Sequence, residues 1–573
     1  MIANPQESSL ATATHPQNRV LQEGFRRSSN FFESDQILQH FLKKHTSPQA
    51  QAYMQPKWKA TGQAAAQEMD ALSLVADKKT PELVKRNLYG ESLNEIVFHP
   101  AYWALVKLAV DSEMFRVKWE PSLRASFRQE SHRLGFAANF IYGMSEGGVA
   151  CPLCMTDGVA RLIDRYCEEE DKARLLAHIF TDKAEEFYTG AMFLTEKAGG
   201  SDVGANLVSA THIEGKYYAL NGEKWFCSNA NAQIIFVLAR TNPQVKGTKG
   251  LSIFLVEPQK PDGSKNTMEI VRLKDKLGVR SMASAECILQ NTVGKMVGEE
   301  GQGFKIMTDM INLSRLYNAT ASVAQMRRAL VEVYQHLSYR HSFGKPALEH
   351  ILIREKLQEL NALYQQQFYM LWKAINLLDE ADNGQQQAAE LLRLLTPMVK
   401  KYAAETGVYV IREAMELMGG IGYIEEGIMP KLLRDTLVLP IWEGAGNIMI
   451  LDMLRASMKS EGLELMLEAC KQLIAQSPES LQASLKPEYE ALLRQTKAMT
   501  DMQQDALELS ARYFFQSLQR LYGLALMASM QDTESEAWIS PALAYWQSKI
   551  QNPQAVPAVA SPEALQKMMA WHF

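Results

Sequence analysis

The chain has 573 residues and a mass of 64.5 kDa, with 47% apolar and 22% charged residues, an ordinary globular balance with length for about four domain-sized units. Sixty Lys+Arg against 65 Asp+Glu give a net charge of -5, which offers polyanions no general field. No run of about 18 apolar residues occurs, which excludes a transmembrane helix, and the first twenty residues, MIANPQESSLATATHPQNRV, lack the apolar core of a secretory signal. A soluble, intracellular protein, taken as cytoplasmic, is the expectation.

Residues 1–45 are polar and poorly periodic and read as a mobile or wrapped arm. A helical domain is expected over 46–188. Apolar residues such as Trp103, Val106, Val110 and Met114 recur there at spacings of three and four, and no β-rich run interrupts 98–176. The texture changes over 189–295. AMFLT (191–195), KYYALNG (216–222), KWFCS (224–228), QIIFVLAR (233–240), LSIFLVEP (251–258) and MEIVRL (268–273) are short β-branched or aromatic runs. Turn signals such as Asn221-Gly222 and Asp262-Gly263 separate them, which predicts a small antiparallel barrel or sandwich. Helical periodicity returns over 300–455. Gly301-Gln302-Gly303 opens a long helix whose Met326, Leu330, Val333 and Leu337 form a bundle stripe. Further helices are expected over 347–380 and 386–418, the latter stopped by Gly419-Gly420. Residues 456–573 read as an extra helical domain with a Pro- and Ala-rich stretch at 552–562. The fold class is α+β and multi-domain.

Several chemistries are excluded. Gly420-Ile421-Gly422 and Gly444-Ala445-Gly446 lack the third glycine of a dinucleotide fingerprint and follow no strand, and no P-loop exists. Six scattered cysteines are no disulfide framework. Cys151 and Cys154 form a CxxC with no second pair to complete a zinc site, and its helical flanks do not suit a redox motif, so buried structural thiols are expected. The eleven histidines form no HExxH or cluster, and no metal is expected.

Three blocks in order are MFLTEKAGGSDVGAN (192–206) with EKWFCSN (223–229), YRHSFGKP (339–346), and ELMGGIGY through RDTLVLPIWEGAGN (416–447). Together with KGLSIFLVE and KDKLGVRSMASAE they resemble the acyl-CoA dehydrogenase family of flavoproteins over about residues 98–455. FHPAYWALVKLAV (98–110), ACPLCMTDG (150–158) and LTEKAGGSDV look most like its adaptive-response, AidB-like branch, which also has an N-terminal arm and an extra C-terminal helical domain. The resemblance implies N-terminal helices, a central β-barrel and a four-helix bundle, with FAD as cofactor and α,β-dehydrogenation of an acyl-CoA thioester as the reaction.

That reaction needs a base over a weakly acidic α-carbon and donors for an enolate-like thioester oxygen. Trp442-Glu443-Gly444 offers a carboxylate beside an aromatic ring, with a glycine that permits close backbone approach. By resemblance Glu443 is the base, and its backbone N–H, with a flavin hydroxyl, holds the thioester oxygen. Ser314 occupies an alternative base position of the family and carries no carboxylate, which favours Glu443. An Asp base would mark the nitroalkane-oxidising branch, and Glu443 argues against it. Arg315 matches an arginine near the base, although alone it is an ordinary bundle-helix residue. The resemblance further implies that Leu194 and Thr195 meet the flavin pyrimidine edge and that Ser201 contacts pyrophosphate and CoA. It makes Phe226 an aromatic wall and Ser228 a hydroxyl near N5. Arg340, Phe343, Gly420 and Glu416 would reach the FAD of a neighbouring subunit, Asn447 would contact the cofactor, and Gly444 would flank the substrate. Ala445 and Asn447 stand where family members often have Thr and Gln, which weakens the adenine-side assignments.

A homo-oligomer, a tetramer as a dimer of dimers, is therefore expected, with an electron-transfer flavoprotein as acceptor. The branch associates its extra domain with DNA in some members. Here residues 451–573 carry ten Lys+Arg against fourteen Asp+Glu, scattered, so nucleic acid and membrane binding are disfavoured and packing on the bundle or oligomer contacts are favoured. The alternative is a flavoprotein that binds acyl-CoA or DNA in a regulatory or protective role with little turnover; an oxygen-using acyl-CoA oxidase stands behind both. Acyl chain length is not legible.

Overall fold

The computed structural model describes residues 28–552, 554 and 557–573, so most of the expected arm lies outside the described residues. The part that is described differs from the expectation. It is helical, with Gln36–His45 as α1, and Phe31, Phe32, Ile37, Leu38 and Phe41 are buried. The polar residues Glu33 to Gln36, Gln39 and His40 between those apolar residues obscure their spacing. Helices α2 (Pro48–Ala66), α3 (Met69–Lys78), α4 (Pro100–Asp111), α5 (Ser131–Gly143), α6 (Ala150–Tyr166) and α7 (Glu169–Ile179) follow. Start signals are local: the Ser47 hydroxyl accepts from Ala50 N–H and Pro48 takes the first turn of α2. Between α3 and α4 lies a hairpin that the helical expectation over 46–188 did not contain, β1 (Glu82–Arg86) and β2 (Ser92–Val97). Its reason is tertiary. Asn94 donates to the Met268 carbonyl at 2.9 Å and accepts from Ile270 N–H at 2.9 Å, docking the hairpin on the β domain.

The β domain comprises β3 (Gly190–Phe193), β4 (Ser209–Glu214), β5 (Tyr217–Ser228), β6 (Ile234–Arg240), β7 (Leu251–Val256), β8 (Met268–Leu273) and β9 (Ser284–Val297). β6, β4, β5, β9 and β7 pair in that order and β7 returns to β6, closing a small barrel; β3 attaches to β6 and β8 to β9. It is not purely antiparallel, because β3 and β4 both pair with β6 in parallel. Asn221-Gly222 is no turn. KYYALNG and KWFCS are one strand, bulged where Gly222, at φ +138°, lies against Val208. The uninterrupted apolar run of β6 reflects burial on both faces. Ile235, Val237 and Ala239 fill the barrel, while Ile234, Phe236 and Leu238 join the helical core.

The bundle follows the sequence closely: α8 (Gly303–Tyr339), α9 (Ile351–Asp382) and α10 (Gln386–Met418), the last stopped by Gly419 at φ +67°. The short α11 (Met429–Thr436) and α12 (Gly446–Lys459) complete it. Asp435 of α11 accepts from Val279 N–H at 2.6 Å, and a Cβ on Gly278 would fall 2.2 Å from the Arg434 carbonyl. The β8–β9 loop is thus fixed tightly to the bundle.

Residues 462–569 add α13 (Gly462–Gln476), α14 (Glu479–Met499), α15 (Gln504–Ser529), α16 (Glu536–Gln551) and α17 (Pro562–Met569). They pack on the bundle through α9, α10 and α12. Trp538 donates to the Tyr369 hydroxyl at 3.3 Å and Trp546 to the Ala362 carbonyl at 3.2 Å. The chain end is clasped at the centre. Arg327, fully buried on α8, pairs with both Asp35 oxygens at 2.9 and 3.0 Å and donates to the Met569 and Ala570 carbonyls at 2.7 and 2.8 Å. Removing one partner of such a pair strands a buried charge and costs about 3–5 kcal/mol. Arg327→Met should lose that much in chemical denaturation, and the double variant Asp35→Leu/Arg327→Met should lose clearly less.

Candidate active site

The loop 437–445 joins α11 to α12 and carries Glu443 in a left-handed conformation, φ +56°, which a non-glycine residue holds only where its surroundings impose it. Gly444 follows at φ +102°, and a Cβ there would fall 2.4 Å from Met449 Cε, so glycine is required. Two buried cations brace the loop. Arg315 of α8 donates from Nε to the Glu443 carbonyl at 3.1 Å, and Lys400 of α10 donates to the Gly444 carbonyl at 2.6 Å and the Pro440 carbonyl at 3.3 Å. Asp452 of α12 holds Arg315 at 2.7 Å and Arg393 at 2.6 Å.

Burial pushes the Glu443 carboxyl up to about 6, with Arg315 and Lys400 opposing. Lys400 is itself pushed down to about 7 by burial. Such a carboxyl is ionised at neutral pH and still basic enough to accept a carbon-bound proton. No acceptor among the described residues takes the Glu443 N–H. Ser314, the family's alternative base position, is fully buried on the same helix as Arg315, and its hydroxyl has no hydrogen-bond partner. From α6, Cys151 and Cys154 complete this group; Cys154 Sγ lies 4.0 Å from the Ser314 carbonyl, and both thiols feel the Glu443 charge.

The motif residues of the β domain gather at the barrel lip. Glu196, buried and paired with Lys224 at 2.7 Å, accepts from Leu207 N–H at 2.5 Å and folds the 194–206 loop back. The Leu194 carbonyl accepts from Asn206 at 2.6 Å, and Thr195 accepts from Trp225 N–H at 2.9 Å. Phe226 is 53% exposed, with Lys274 Nζ 4.5 Å from its ring centre, and Ser201 is exposed. The Ser228 hydroxyl lies 3.2 Å from that of Ser284, which accepts from Lys276 at 3.1 Å; Lys276 in turn senses Cys151. That chain links the lip to the Glu443 group.

The remaining residues do not join them within one chain. Arg340 lies 25 residues beyond Arg315 on α8 and its end, roughly 37 Å along the axis. It reaches the Met418 carbonyl at 3.5 Å, beside the exposed Gly420 and Glu416. Phe343 is 97% exposed at φ +51°. Asn447 is exposed and accepts from Arg512 of α15 at 2.9 Å, so its oxygen is already engaged by the appended helices. Sequence reading missed Lys400, Asp452 and the place of the CxxC. A signal for Lys400 exists: it shares a helix face with Pro397, Ala404, Gly407 and Ile411, all buried.

The CxxC opens α6 after a turn rather than a strand, and burial raises Cys151 to about 12. Neutral thiols are poor nucleophiles. At pH 8 Cys151 should alkylate about a thousandfold more slowly than an unshifted cysteine; mass-spectrometric timing with iodoacetamide measures this.

Residues 301–458 match the family model described as "Acyl-CoA dehydrogenase, C-terminal domain", residues 191–292 the "Acyl-CoA dehydrogenase, middle domain", and residues 22–183 the "Adaptive response protein AidB N-terminal domain". The chain is 34% identical to "Putative acyl-CoA dehydrogenase AidB" of Escherichia coli, covering 68% of this chain and 72% of that protein. It is 27% identical to "Acyl-CoA dehydrogenase family member 11" of Caenorhabditis elegans, covering 94% and 91%. The crystal structure of Caenorhabditis elegans ACDH-11 in complex with C11-CoA superposes with a TM-score of 0.83 at 26% identity, covering 91% of this chain and 92% of that one.

Proposed function

The chain belongs to the acyl-CoA dehydrogenase family, and from that premise we propose that it is an FAD-dependent acyl-CoA dehydrogenase that introduces an α,β double bond into an acyl-CoA thioester, with Glu443 as the base. The observation that carries this reading is the desolvated Glu443 carboxyl, held on a braced loop with its own N–H unengaged.

The barrel lip fits FAD. An exposed Phe226 ring beside the Ser228 hydroxyl offers a flat apolar face with a donor at its edge, and the buried side-chain oxygens of Asn229 and Asn231 have no hydrogen-bond partner. Leu194, Thr195, Phe226 and Ser228 would hold the ring, and Ser201 the phosphate side. When bound, FAD supplies the acceptor for the hydride leaving the β-carbon. The chain supplies the rest. The Glu443 carboxylate takes the α-proton, and its N–H steadies the thioester oxygen as negative charge develops there. Glu443 is half-buried, and a bound acyl chain would complete the exclusion of water from that proton.

The distance between Arg340 and the Glu443 group supports a site completed by a second copy of the chain. Phe343, Leu352 and Tyr423 are each at least 79% exposed near that end of the bundle, apolar surface suited to a partner. We read the assembly as a homotetramer in the cytoplasm, serving fatty acid metabolism and passing electrons to an electron-transfer flavoprotein. The scattered charge of the appended helices supports no nucleic-acid role. Phe343→Asp should lower the oligomeric state in light scattering and release FAD on gel filtration; a stoichiometrically loaded monomer would overturn the cross-subunit reading.

Glu443→Gln keeps shape and N–H but removes the proton acceptor. Flavin bleaching by the best acyl-CoA, mixed anaerobically, should slow about 10²–10⁴-fold with FAD content unchanged. Because only the carboxylate is a base, kcat/KM of the wild type should fall as pH drops through about 6. No bleaching by any acyl-CoA would instead favour the binding role.

A further inference from the structure

Nearly every fully buried cation among the described residues has an acid of its own: Arg327 has Asp35, Arg328 has Asp70 and Glu332, Lys118 has Asp157, and Lys224 has Glu196. Lys400 differs. It is fully buried on α10, and both its hydrogen bonds run to carbonyl oxygens, those of Gly444 and Pro440. Among the described residues no carboxylate forms an ion pair with it. An ammonium taken out of water without a partner acid is costly to keep, so its location asks for a reason.

The two carbonyls bracket Glu443. Together with the Glu443 carbonyl, held by Arg315, they turn three peptide oxygens of one short loop toward cations on α8 and α10. Glu443 sits between them in its left-handed conformation. Of the neighbouring cations, Arg315 shares Asp452 with Arg393, and Lys401 pairs with Glu405.

We infer that Lys400 is a positioning residue for Glu443: it pins the Pro440 and Gly444 carbonyls so that the loop carries the carboxyl in one orientation, and it brings to that carboxyl a positive charge no acid has already neutralised. This rests on Glu443 being the base. The groups facing the pair are Arg315 from α8, Lys401 and Glu405 from α10, and the neutral thiols of Cys151 and Cys154 from α6. Burial raises Glu443 to about 6 and lowers Lys400 to about 7, and each opposes the other's shift. Removing the cation therefore withdraws support from the carboxylate and raises its midpoint further.

The test uses FAD-loaded protein carrying Lys400→Met, Lys400→Gln or Lys400→Arg. Infrared difference spectra against Glu443→Gln, recorded across pH, isolate the protonated Glu443 carboxyl without any substrate. The wild-type band should titrate near 6. Lys400→Met and Lys400→Gln should move that midpoint up by about one unit or more, and Lys400→Arg should bring it back toward the wild type. Bleaching at pH 6 should fall at least about fivefold in Lys400→Met with acyl-CoA affinity within about twofold, a loss in the step rather than in binding. If Lys400→Met fails to fold, the Gln and Arg variants carry the comparison. An unchanged midpoint in the folded variants overturns the inference. Absence of bleaching in the wild type would count against the dehydrogenase reading alone, since the infrared midpoint still decides the role of Lys400.

Discussion

A carboxyl that is both desolvated and ionisable is the constraint around which the molecule is organised. Burial alone would leave Glu443 protonated; full exposure would leave it too weak a base. The intermediate state requires cations at fixed places, and side chains on long packed helices are fixed better than side chains on loops. Arg315 comes from α8, Lys400 from α10, and Asp452, which balances Arg315, from α12. The Glu443 loop itself is irregular, but everything that holds it is helical.

The same logic explains how the barrel and the appended helices are attached. The β8–β9 loop is locked to α11 through Val279 and Asp435, which fixes the barrel lip relative to the Glu443 loop. The last helices lie on α9, away from that lip, and the final residues return to Arg327 and Asp35 at the middle of α8. Chain segments separated by more than 500 positions, at Asp35 and Ala570, thereby meet on one buried arginine. The appended domain thus braces the bundle, and Arg512 reaches from it to Asn447 at the start of α12.

Much of the fold was legible from the sequence. The stripe Met326, Leu330, Val333 and Leu337 is buried, Gly419 does stop α10, and the six expected strand runs lie on four separate strands and one bulged one. What escaped depends on partners distant in sequence. The β1–β2 hairpin owes its place to Met268 and Ile270. The short strand β4 and the mixed strand β9 carry too many polar residues to announce themselves. Asn221-Gly222 carries a turn signature, yet pairing with β9 on either side made it a bulge.

The sequence by itself determined the family and the residue types of the site, because WEGAG, YRHSFGKP and LTEKAGGSDV are local strings whose chemistry does not depend on where the chain goes. It determined equally where helical stretches give way to the β domain and return, since hydrophobic period is a property of short windows. Only the tertiary structure decided which charges meet. That Lys400 pairs with no acid among the described residues, that Arg315 has Asp452, and that burial raises the Cys151 and Cys154 thiols beside Glu443 follow from the packing of α6, α8, α10 and α12. Electrostatic interactions act through space with a strength set by burial, and neither distance nor burial is written in the order of residues.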